Sequence, residues 1–232
     1  MAEGLRLVEE ALASGVAMRG VITADSFRDG GRGARLLKDL ASHAVPIEEV
    51  SDRTFATLAD TDTPQGILAV VEPPHWPLAS IEPSAGAPVL VLDGVQDPGN
   101  VGTLIRTAFA LGAAGVVLLK GTADPAHPKV MRAAMGATFR LPTAPADEDE
   151  FRAWTLRTKT TVWAAMMDGT ALERLERPER LALVVGNEGA GVRPAVAELA
   201  RTQVAIPLAR GAESLNVSVA AGIILYEIQR GA

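Results

Sequence analysis

The chain has no cysteine among its 232 residues. Disulfide bonds, thiolate metal sites and a cysteine nucleophile are therefore all excluded. Aromatic residues make up only 4% of the sequence, so its cores must be built from leucine, valine, isoleucine and alanine. No apolar run approaches the roughly 20 residues of a membrane-spanning helix. The first ten residues are acidic and lack the basic and apolar regions of a signal peptide, so we expect a cytoplasmic protein.

Positive charge is also scarce. The net charge is −6, and residues 1–72 hold 7 basic and 12 acidic residues, a net charge of −5. Residues 88–232 hold 15 of each and are neutral. Neither half is a basic domain, so any contact with nucleic acid must come from a local patch. The candidate patch consists of Arg28, Arg32, Arg35 and Lys38, although such a cluster is equally typical of a solvated helix face.

A proline-rich segment divides the chain. Five prolines fall within residues 73–88, a density that disfavours both helices and central strands. We therefore predict one domain over residues 1–72, a linker over 73–87 and a second domain over 88–232. In both domains, segments with helical spacing of apolar residues alternate with short apolar runs. The first domain is predicted to be a small α/β unit, and the second a mostly parallel sheet with helices on both faces.

The predicted boundaries follow from the apolar spacing and from capping residues. In the first domain the predicted helices are 5–15, 32–43 and 51–58, and the extended segments are 21–23, 46–50 and 66–71. In the second domain the predicted strands are 89–92, 116–119, 161–166, 181–185 and 203–206, and the predicted helices are 100–111, 128–135, 149–158, 194–200 and 215–229.

Ligands of open α/β sheets gather at the carboxyl ends of the strands, so the loops there are candidate sites. In the first such loop, residues 92–100, Asn100 stands where a helix N-cap belongs, and capping alone could explain it. Arg106 lies about a turn and a half inside the following helix. Because helical side chains lean toward the N-terminus, its guanidinium can return toward the loop. The alternative is an ordinary surface arginine.

Two later loops have a similar character. Residues 184–192 contain three glycines with the spacing Gly-x-x-Gly-x-Gly, which lets a backbone approach a ligand closely. This spacing differs from the dinucleotide fingerprint, and no such fingerprint follows the first strand, which argues against a nucleotide-dependent oxidoreductase. The third loop, residues 205–216, contains Ser214, which can cap the apolar helix that follows, and Asn216, which can bond in its first turn.

Together the three loops resemble the signature motifs of SpoU/TrmH-type RNA ribose 2′-O-methyltransferases of the SPOUT class. The matching segments are Asn100-x-Gly102-x-x-x-Arg106-x-Ala108, Gly186-Asn187-Glu188-Gly189-x-Gly191, and Ile206-Pro207 followed by Ser214-Leu215-Asn216-Val217-Ser218-Val219-Ala220. The resemblance covers residues 88–230. Residues 4–73 also resemble the ribosomal-protein-like RNA-binding domain that precedes many members, in which further, often basic, residues lie ahead of the segment that Glu3-Gly4 matches.

This resemblance implies properties that composition and spacing do not reach. It implies a trefoil knot in the C-terminal domain, a homodimer and S-adenosylmethionine as cofactor. The implied substrate is ribosomal RNA, most often 23S rRNA, with tRNA as the alternative. The resemblance assigns the cofactor to Gly186, Ile206, Leu215 and Asn216, and the chemistry to Asn100, Arg106, Glu188, Ser214 and Asn216. No metal is implied, and the three histidines, His43, His75 and His127, are far apart in the sequence.

The source of the general base stays open at this point. The three loops contain no histidine, and an arginine with a pKa above about 12 is a poor ground-state base. Arg106 could instead stabilise the forming alkoxide or pass the proton to an RNA phosphate. Glu188 could orient Arg106 or act as the base itself. A relative that binds RNA without catalysis is a further alternative, which the intact motifs disfavour.

Overall fold

Two sheets, one in each half of the chain, form the framework of the molecule. The computed structural model describes residues 1–29 and 31–230, apart from the side chains of residues 28 and 29. The first sheet has four strands and the second has six. Between them lies the proline-rich segment, which holds a 3-10 turn at Leu78–Ser80. Among the described residues, no helix is long and apolar enough to cross a membrane.

The first sheet is mixed. Its strands are β1 (Ala2–Glu3), β2 (Met18–Ala24), β3 (Ile47–Val50) and β4 (Ile67–Val71), and its helices are α1 (Leu5–Ser14), α2 (Gly31–Ser42) and α3 (Asp52–Leu58). The spatial order is β1-β4-β2-β3, in which only β2 and β3 run parallel. As the sequence predicts, α1 is followed by Gly15 in the left-handed conformation at φ 71°, and the Ser51 side chain caps α3.

The second sheet is entirely parallel. Its strands are β5 (Val89–Asp93), β6 (Gly115–Leu118), β7 (Thr143–Pro145), β8 (Thr161–Ala171), β9 (Leu181–Gly186) and β10 (Thr202–Ala205). The helices that cover it are α4 (Pro98–Ala110), α5 (Pro128–Ala134), α6 (Glu148–Thr158), α7 (Pro194–Ala197) and α8 (Val217–Arg230). Leu90 and Leu92 of β5 pack on one face with α4 and α8, whereas Val89 and Val91 pack on the other with α6. The predicted fold class is confirmed.

Strand order determines where a ligand can enter. The order is β10-β8-β9-β5-β6-β7, so the chain runs from β5 outward through β6 to β7, and its later strands fall on the other side of β5. Neighbouring strands β5 and β9 therefore send their connections in opposite directions, which opens a crevice at their carboxyl ends. Asp93 and Gly186, the last residues of these two strands, are paired in register at that point.

Strand β8 departs from the sequence-based prediction of residues 161–166. It pairs with β10 through Trp163 and Ala164, and then again through Thr170 and Ala171, although the β10 partners are consecutive. The five intervening residues, 165–169, leave the ladder as an excursion. Close packing holds this excursion against β10, because a Cβ on Gly169 would lie 2.7 Å from the Gln203 carbonyl.

The two halves share a core through helix α5. Met131 of α5 and Phe139, which follows it, are 1% and 5% exposed and pack with the apolar residues of the first sheet and of α1. Arg132 lies alongside, with Nη2 2.6 Å from an Asp60 carboxylate oxygen. Farther along, Arg140 Nη2 lies 3.0 Å from a Glu10 carboxylate oxygen. The first half is therefore packed and ion-paired onto the second.

Candidate active site

Three loops meet where β5, β9 and β10 end. After the roles that the sequence resemblance implies, we call residues 93–100 the catalytic loop and residues 186–193 the cofactor loop. The third segment, residues 206–216, leads into α8. Asn187 joins the first two loops, because its Nδ2 donates to the Gly94 carbonyl at 2.9 Å while its Oδ1 accepts from the Gly189 and Ala190 amides. Asn187 thereby shapes the turn that presents Glu188.

Asn100 is not the N-cap that the sequence predicts. Helix α4 begins two residues earlier at Pro98, and the Asp97 side chain caps it by accepting from the Asn100 amide at 2.8 Å. The proline explains the earlier start, because its fixed φ and missing N–H suit the first helical position. The hydrogen bond from Asn100 and the nearby Lys129 lower the pKa of Asp97. Because the Asp97 side chain supplies the cap, the side-chain amide of Asn100 is available for other contacts.

Glu188 is the anchor of the site. Its carboxylate accepts from Asn100 Nδ2 at 3.0 Å and from the amides of Gln96 and Asp97 at 3.4 and 3.3 Å. Burial alone would raise the pKa of Glu188, but the hydrogen bonds from Asn100 and these amides outweigh burial, so the pKa is lowered. The carboxylate is therefore ionised at neutral pH and holds the tip of the catalytic loop.

Asn216 closes the arrangement from the third segment. Its Nδ2 donates to Asn100 Oδ1 at 3.0 Å, and its Oδ1 accepts from the Ser218 amide at 2.8 Å. Asn216, rather than Ser214, thus caps α8, which begins at Val217. Ser218 is 7% exposed, and its hydroxyl donates to the Asn100 carbonyl at 3.2 Å. Glu188, Asn100 and Asn216 form one continuous chain of hydrogen bonds.

A cavity of about 680 Å³ opens beside these hydrogen-bonded side chains. It lies within the size range of small-molecule sites. All four residues expected to bind the cofactor line it, together with Glu188 and Ser214; the four are Gly186, Ile206, Leu215 and Asn216. Ser214 is exposed in the cavity wall. The β8 excursion adds Met166, Met167 and Gly169 to the lining. No sequence signal predicted this contribution, because the apolar run of β8 is typical of an ordinary strand.

Gly186 shows that this wall cannot accept a side chain. A Cβ at this position would lie closer than 3.0 Å to the Gly191 backbone, a distance that real Cβ atoms essentially never show. The first and last glycines of the cofactor loop are therefore in direct backbone contact. At its glycines the loop has only backbone to present to the cavity, as expected where a ligand must approach the chain closely.

Comparison with known proteins agrees with this geometry. Residues 87–226 match the model of the SpoU rRNA Methylase family. The chain belongs to the SpoU family. Residues 1–77 match a second model, described as RNA 2′-O ribose methyltransferase substrate binding. The family resemblance of the three sequence motifs is confirmed.

Relatives of the SpoU family align over nearly the whole chain. The 23S rRNA (guanosine(2553)-2′-O)-methyltransferase RlmP of Bacillus subtilis is 38% identical, over 98% of this chain and 87% of its own. The 23S rRNA (guanosine-2′-O-)-methyltransferase RlmB of Pasteurella multocida is 33% identical, over 88% of this chain and 86% of its own. The AdoMet-bound rRNA methyltransferase from Sinorhizobium meliloti superimposes with a TM-score of 0.88 and 33% identity, over 99% of this chain and 86% of its own.

Asn100 and Arg106 are predicted site residues that do not line the cavity. Asn100 is bonded to two lining residues, Glu188 and Asn216, whereas Arg106 lies apart from them. Arg106 is exposed on α4, in a groove of about 540 Å³ that it shares with Thr103, Thr107 and Tyr226 of α8. The ion pair with Glu188 considered from the sequence is not formed within the chain, because Glu188 is bonded to Asn100. Among the described residues, Arg106 has no hydrogen-bond or ion-pair partner.

The predicted basic patch is only partly available. Arg32 is ion-paired with Glu9, its Nη2 lying 2.5 Å from a Glu9 carboxylate oxygen. Arg35 and Lys38 are exposed on α2, one turn apart, and can meet an anion. The side chain of Arg28 lies outside the described residues.

Sequence reasoning missed the residues that support the site. Asp93, Asn187, Arg193 and Ser218 each hold a loop in place, yet none was singled out. Asn187 and Ser218 lie within the quoted motifs, so their positions were a usable signal. Asp93 ends a strand of apolar residues, where a lone carboxylate is a signal that it has a buried partner.

Proposed function

We propose that this chain transfers a methyl group from S-adenosylmethionine to a ribose 2′-hydroxyl of ribosomal RNA. The observation that carries the proposal is the hydrogen-bonded chain of Glu188, Asn100 and Asn216 beside a cavity walled by a glycine loop. Family membership supports the reaction. The names of the relatives favour rRNA over tRNA as the substrate.

The cavity fits the cofactor. Its volume suits a molecule of this size, and the loop that lacks side chains at Gly186 and Gly191 lets adenosine and methionine groups reach backbone donors and acceptors. When bound, S-adenosylmethionine supplies an electrophilic methyl group on a sulfonium centre. Backbone groups of Gly186, Ile206 and Leu215 would hold it, with Asn216 at the end nearest Asn100.

The polar side chains position the ribose. Asn100 and Asn216 present amide groups next to the cavity, and Ser214 presents a hydroxyl, so an incoming 2′-hydroxyl can be held in line for transfer. Glu188 acts as the anchor of Asn100 rather than as the base, because its lowered pKa makes it a weak proton acceptor. The proton of the hydroxyl then goes to solvent or to an RNA phosphate. Arg106 lies apart from the cavity of its own chain, so it would stabilise the alkoxide in the site of a second copy.

A homodimer would explain the position of Arg106. Beside it, α8 exposes Val219, Ile223 and Tyr226, at 51%, 39% and 53%, with the i, i+4, i+7 spacing of one helix face. Phe109 of α4 adds a further exposed ring. We infer that a second copy of the chain covers this apolar face. The groove that holds Arg106 then lies at the subunit interface. The trefoil knot and the cytoplasmic location stay predictions.

Tyr226→Glu is expected to convert the dimer into a monomer, because a carboxylate buried in an apolar interface without a partner is strongly unfavourable. Sedimentation velocity at micromolar concentration measures the change. Leu156→Glu is the matched control, since Leu156 is an apolar residue on α6 that is 74% exposed. A Tyr226→Glu protein that sediments like the wild type would contradict the proposed interface.

Residues 1–72 are proposed to select the RNA. Arg35→Gln combined with Lys38→Gln should weaken RNA binding and reduce the slope of log affinity against log salt by about 1 to 2, because fewer counterions are released. The affinity for S-adenosylmethionine should not change. Filter binding across a salt series measures the slope. Arg152→Gln with Arg174→Gln, two exposed arginines of the second half, is the control. An equal loss in that control would argue against a patch on α2.

Methylation of defined RNAs tests the proposed function directly. Purified protein with labelled S-adenosylmethionine is expected to label 23S rRNA at one ribose and to leave tRNA unlabelled. Calorimetry in excess chelator should show undiminished cofactor binding, since neither the motifs nor the cavity lining offers a cluster of metal ligands. Labelled tRNA would favour the alternative substrate. Cofactor binding without any transfer would favour the non-catalytic relative.

A further inference from the structure

An ion pair between a buried carboxylate and a partly exposed arginine joins the catalytic and cofactor loops where they leave the sheet. Asp93, the first residue of the catalytic loop, is fully buried. Arg193, the last residue of the cofactor loop, donates to its carboxylate from the backbone amide and from Nε, both at 2.7 Å. Arg193 Nη2 lies 2.6 Å from the same carboxylate. Two N–H groups of one residue therefore donate to both oxygens of one buried carboxylate, with Nη2 within ion-pair distance of it, so the contact constrains the loop backbone as well as the guanidinium.

Glu148 holds the outer side of the same guanidinium. Its carboxylate lies 2.7 Å from Arg193 Nη1, and it belongs to the first turn of α6. The arginine is thus clamped between a buried and a half-exposed acid. Neither Asp93 nor Arg193 lines the cavity, so this pair has no direct contact with the proposed cofactor.

The two loops are connected at three levels. At their base lies the Asp93–Arg193 pair, and one residue further the Asn187 side chain bonds the Gly94 carbonyl. At the tip, Glu188 binds Asn100 and the neighbouring amides. The tip contacts are exposed and span 3.0 to 3.4 Å, whereas the contacts to the buried Asp93 carboxylate span 2.6 to 2.7 Å. The distance between the two loops is therefore set mainly at the base.

We propose that Arg193 is a positioning residue that sets the register of the cofactor loop against the catalytic loop, and so places Asn100 relative to the bound cofactor. The proposal rests on the proposed function, because it concerns the same methyl transfer. A shift of the reacting groups by about 1 Å can cost about a hundredfold in rate, even when the cause is remote. The cofactor's own contacts are expected to survive such a shift, since the turn bonds of Asn187 within its loop remain.

The competing view is that the pair is only structural. Arg193→Met is expected to lower the Tm by roughly 10 °C, because it leaves a buried carboxylate unpaired. The double variant Asp93→Asn/Arg193→Met removes both charges and should recover most of that loss. Its kcat is nevertheless expected to stay at least about tenfold below wild type, with the dissociation constant for S-adenosylmethionine within about threefold. Arg193→Lys keeps the charge without the planar fork and should show the same deficit in kcat.

The measurements are thermal denaturation, cofactor calorimetry and single-turnover methylation on the full chain. Arg157→Met is the control, since it breaks an exposed ion pair between Arg157 of α6 and Glu82 of the proline-rich segment, and it should leave all three values unchanged. If the double variant regained both Tm and kcat, or if Arg193→Lys restored kcat, the positioning role would be wrong. Failure of the proposed function is distinguishable, because the wild-type chain itself would then transfer no methyl group.

Discussion

Replacing Arg106 by alanine is expected to lower the methylation rate about a hundredfold or more while leaving S-adenosylmethionine binding nearly intact. Loss of a group that stabilises charge in the transition state typically has an effect of this size. Arg106 lies outside the cavity, so the contacts assigned to the cofactor do not depend on it. Arg106→Lys should also fail, because a point charge does not replace a planar fork of donors.

Single-turnover methylation and calorimetry measure the two halves of this prediction. Arg152→Ala is the matched control, since Arg152 is an exposed arginine on a helix of the same half. The dimer can be tested further by mixing Arg106→Ala chains with chains whose cofactor loop is defective and measuring the methylation rate of the mixture. Turnover near the wild-type level in either Arg106 variant would remove Arg106 from the mechanism.

A comparably large effect is expected from Gly186→Ala, this time on cofactor binding. The new methyl group would enter the space of the Gly191 backbone, and backbone cannot move aside as a flexible side chain can. The cofactor loop must then shift as a whole, at a cost typical of overpacking, about 1–3 kcal/mol or more. Since the same loop forms the cavity wall, we expect S-adenosylmethionine affinity to fall at least about tenfold and the Tm to fall with it.

Gly189→Ala provides the control within the same loop. The nearest atom to a Cβ at Gly189 is Asn187 Oδ1 at 3.7 Å, an ordinary contact distance. Its Tm should stay close to that of the wild type, because the added methyl group meets no protein atom closer than an ordinary contact distance. Equal losses in the two variants would mean that the loop needs glycine for flexibility rather than for space.

The local elements were well predicted because their signals are local. Helix α1 has apolar residues at helical spacing and a glycine just past its end, and the structure has both the helix and the left-handed glycine. Strand β7 was missed because it is only three residues long and ends in Pro145, which favours an edge position. Strand β1 has two residues, too few for any periodicity. The β8 excursion depends on its partner β10, which the sequence of β8 cannot reveal.

The sequence motifs predicted several residues that line the cavity but not the contacts that connect the loops. Gly186, Ile206, Leu215 and Asn216 do line one cavity, and the family motifs supplied that list. Proline at position 98 was a readable signal that α4 starts early and that Asp97 is the cap. The bonds of Glu188 join residues that are 88 or more positions apart, and no local pattern encodes such pairs. The location of Arg106 away from the cavity likewise follows from which face of α4 is buried.

The packing of the first half against α5 and Phe139 limits how freely this half could be exchanged between relatives. The donor half would have to bring apolar side chains complementary to Met131 and Phe139, along with acids placed like Glu10 and Asp60. Helix α5 in turn packs against α4 so closely that a Cβ on Gly102 would lie 2.5 Å from the Ala133 methyl. A foreign first half that packs poorly against α5 would therefore disturb α4 and, with it, Asn100. A chimera of this kind should have a lower methylation rate unless all the residues that contact α5 and Phe139 are transferred together.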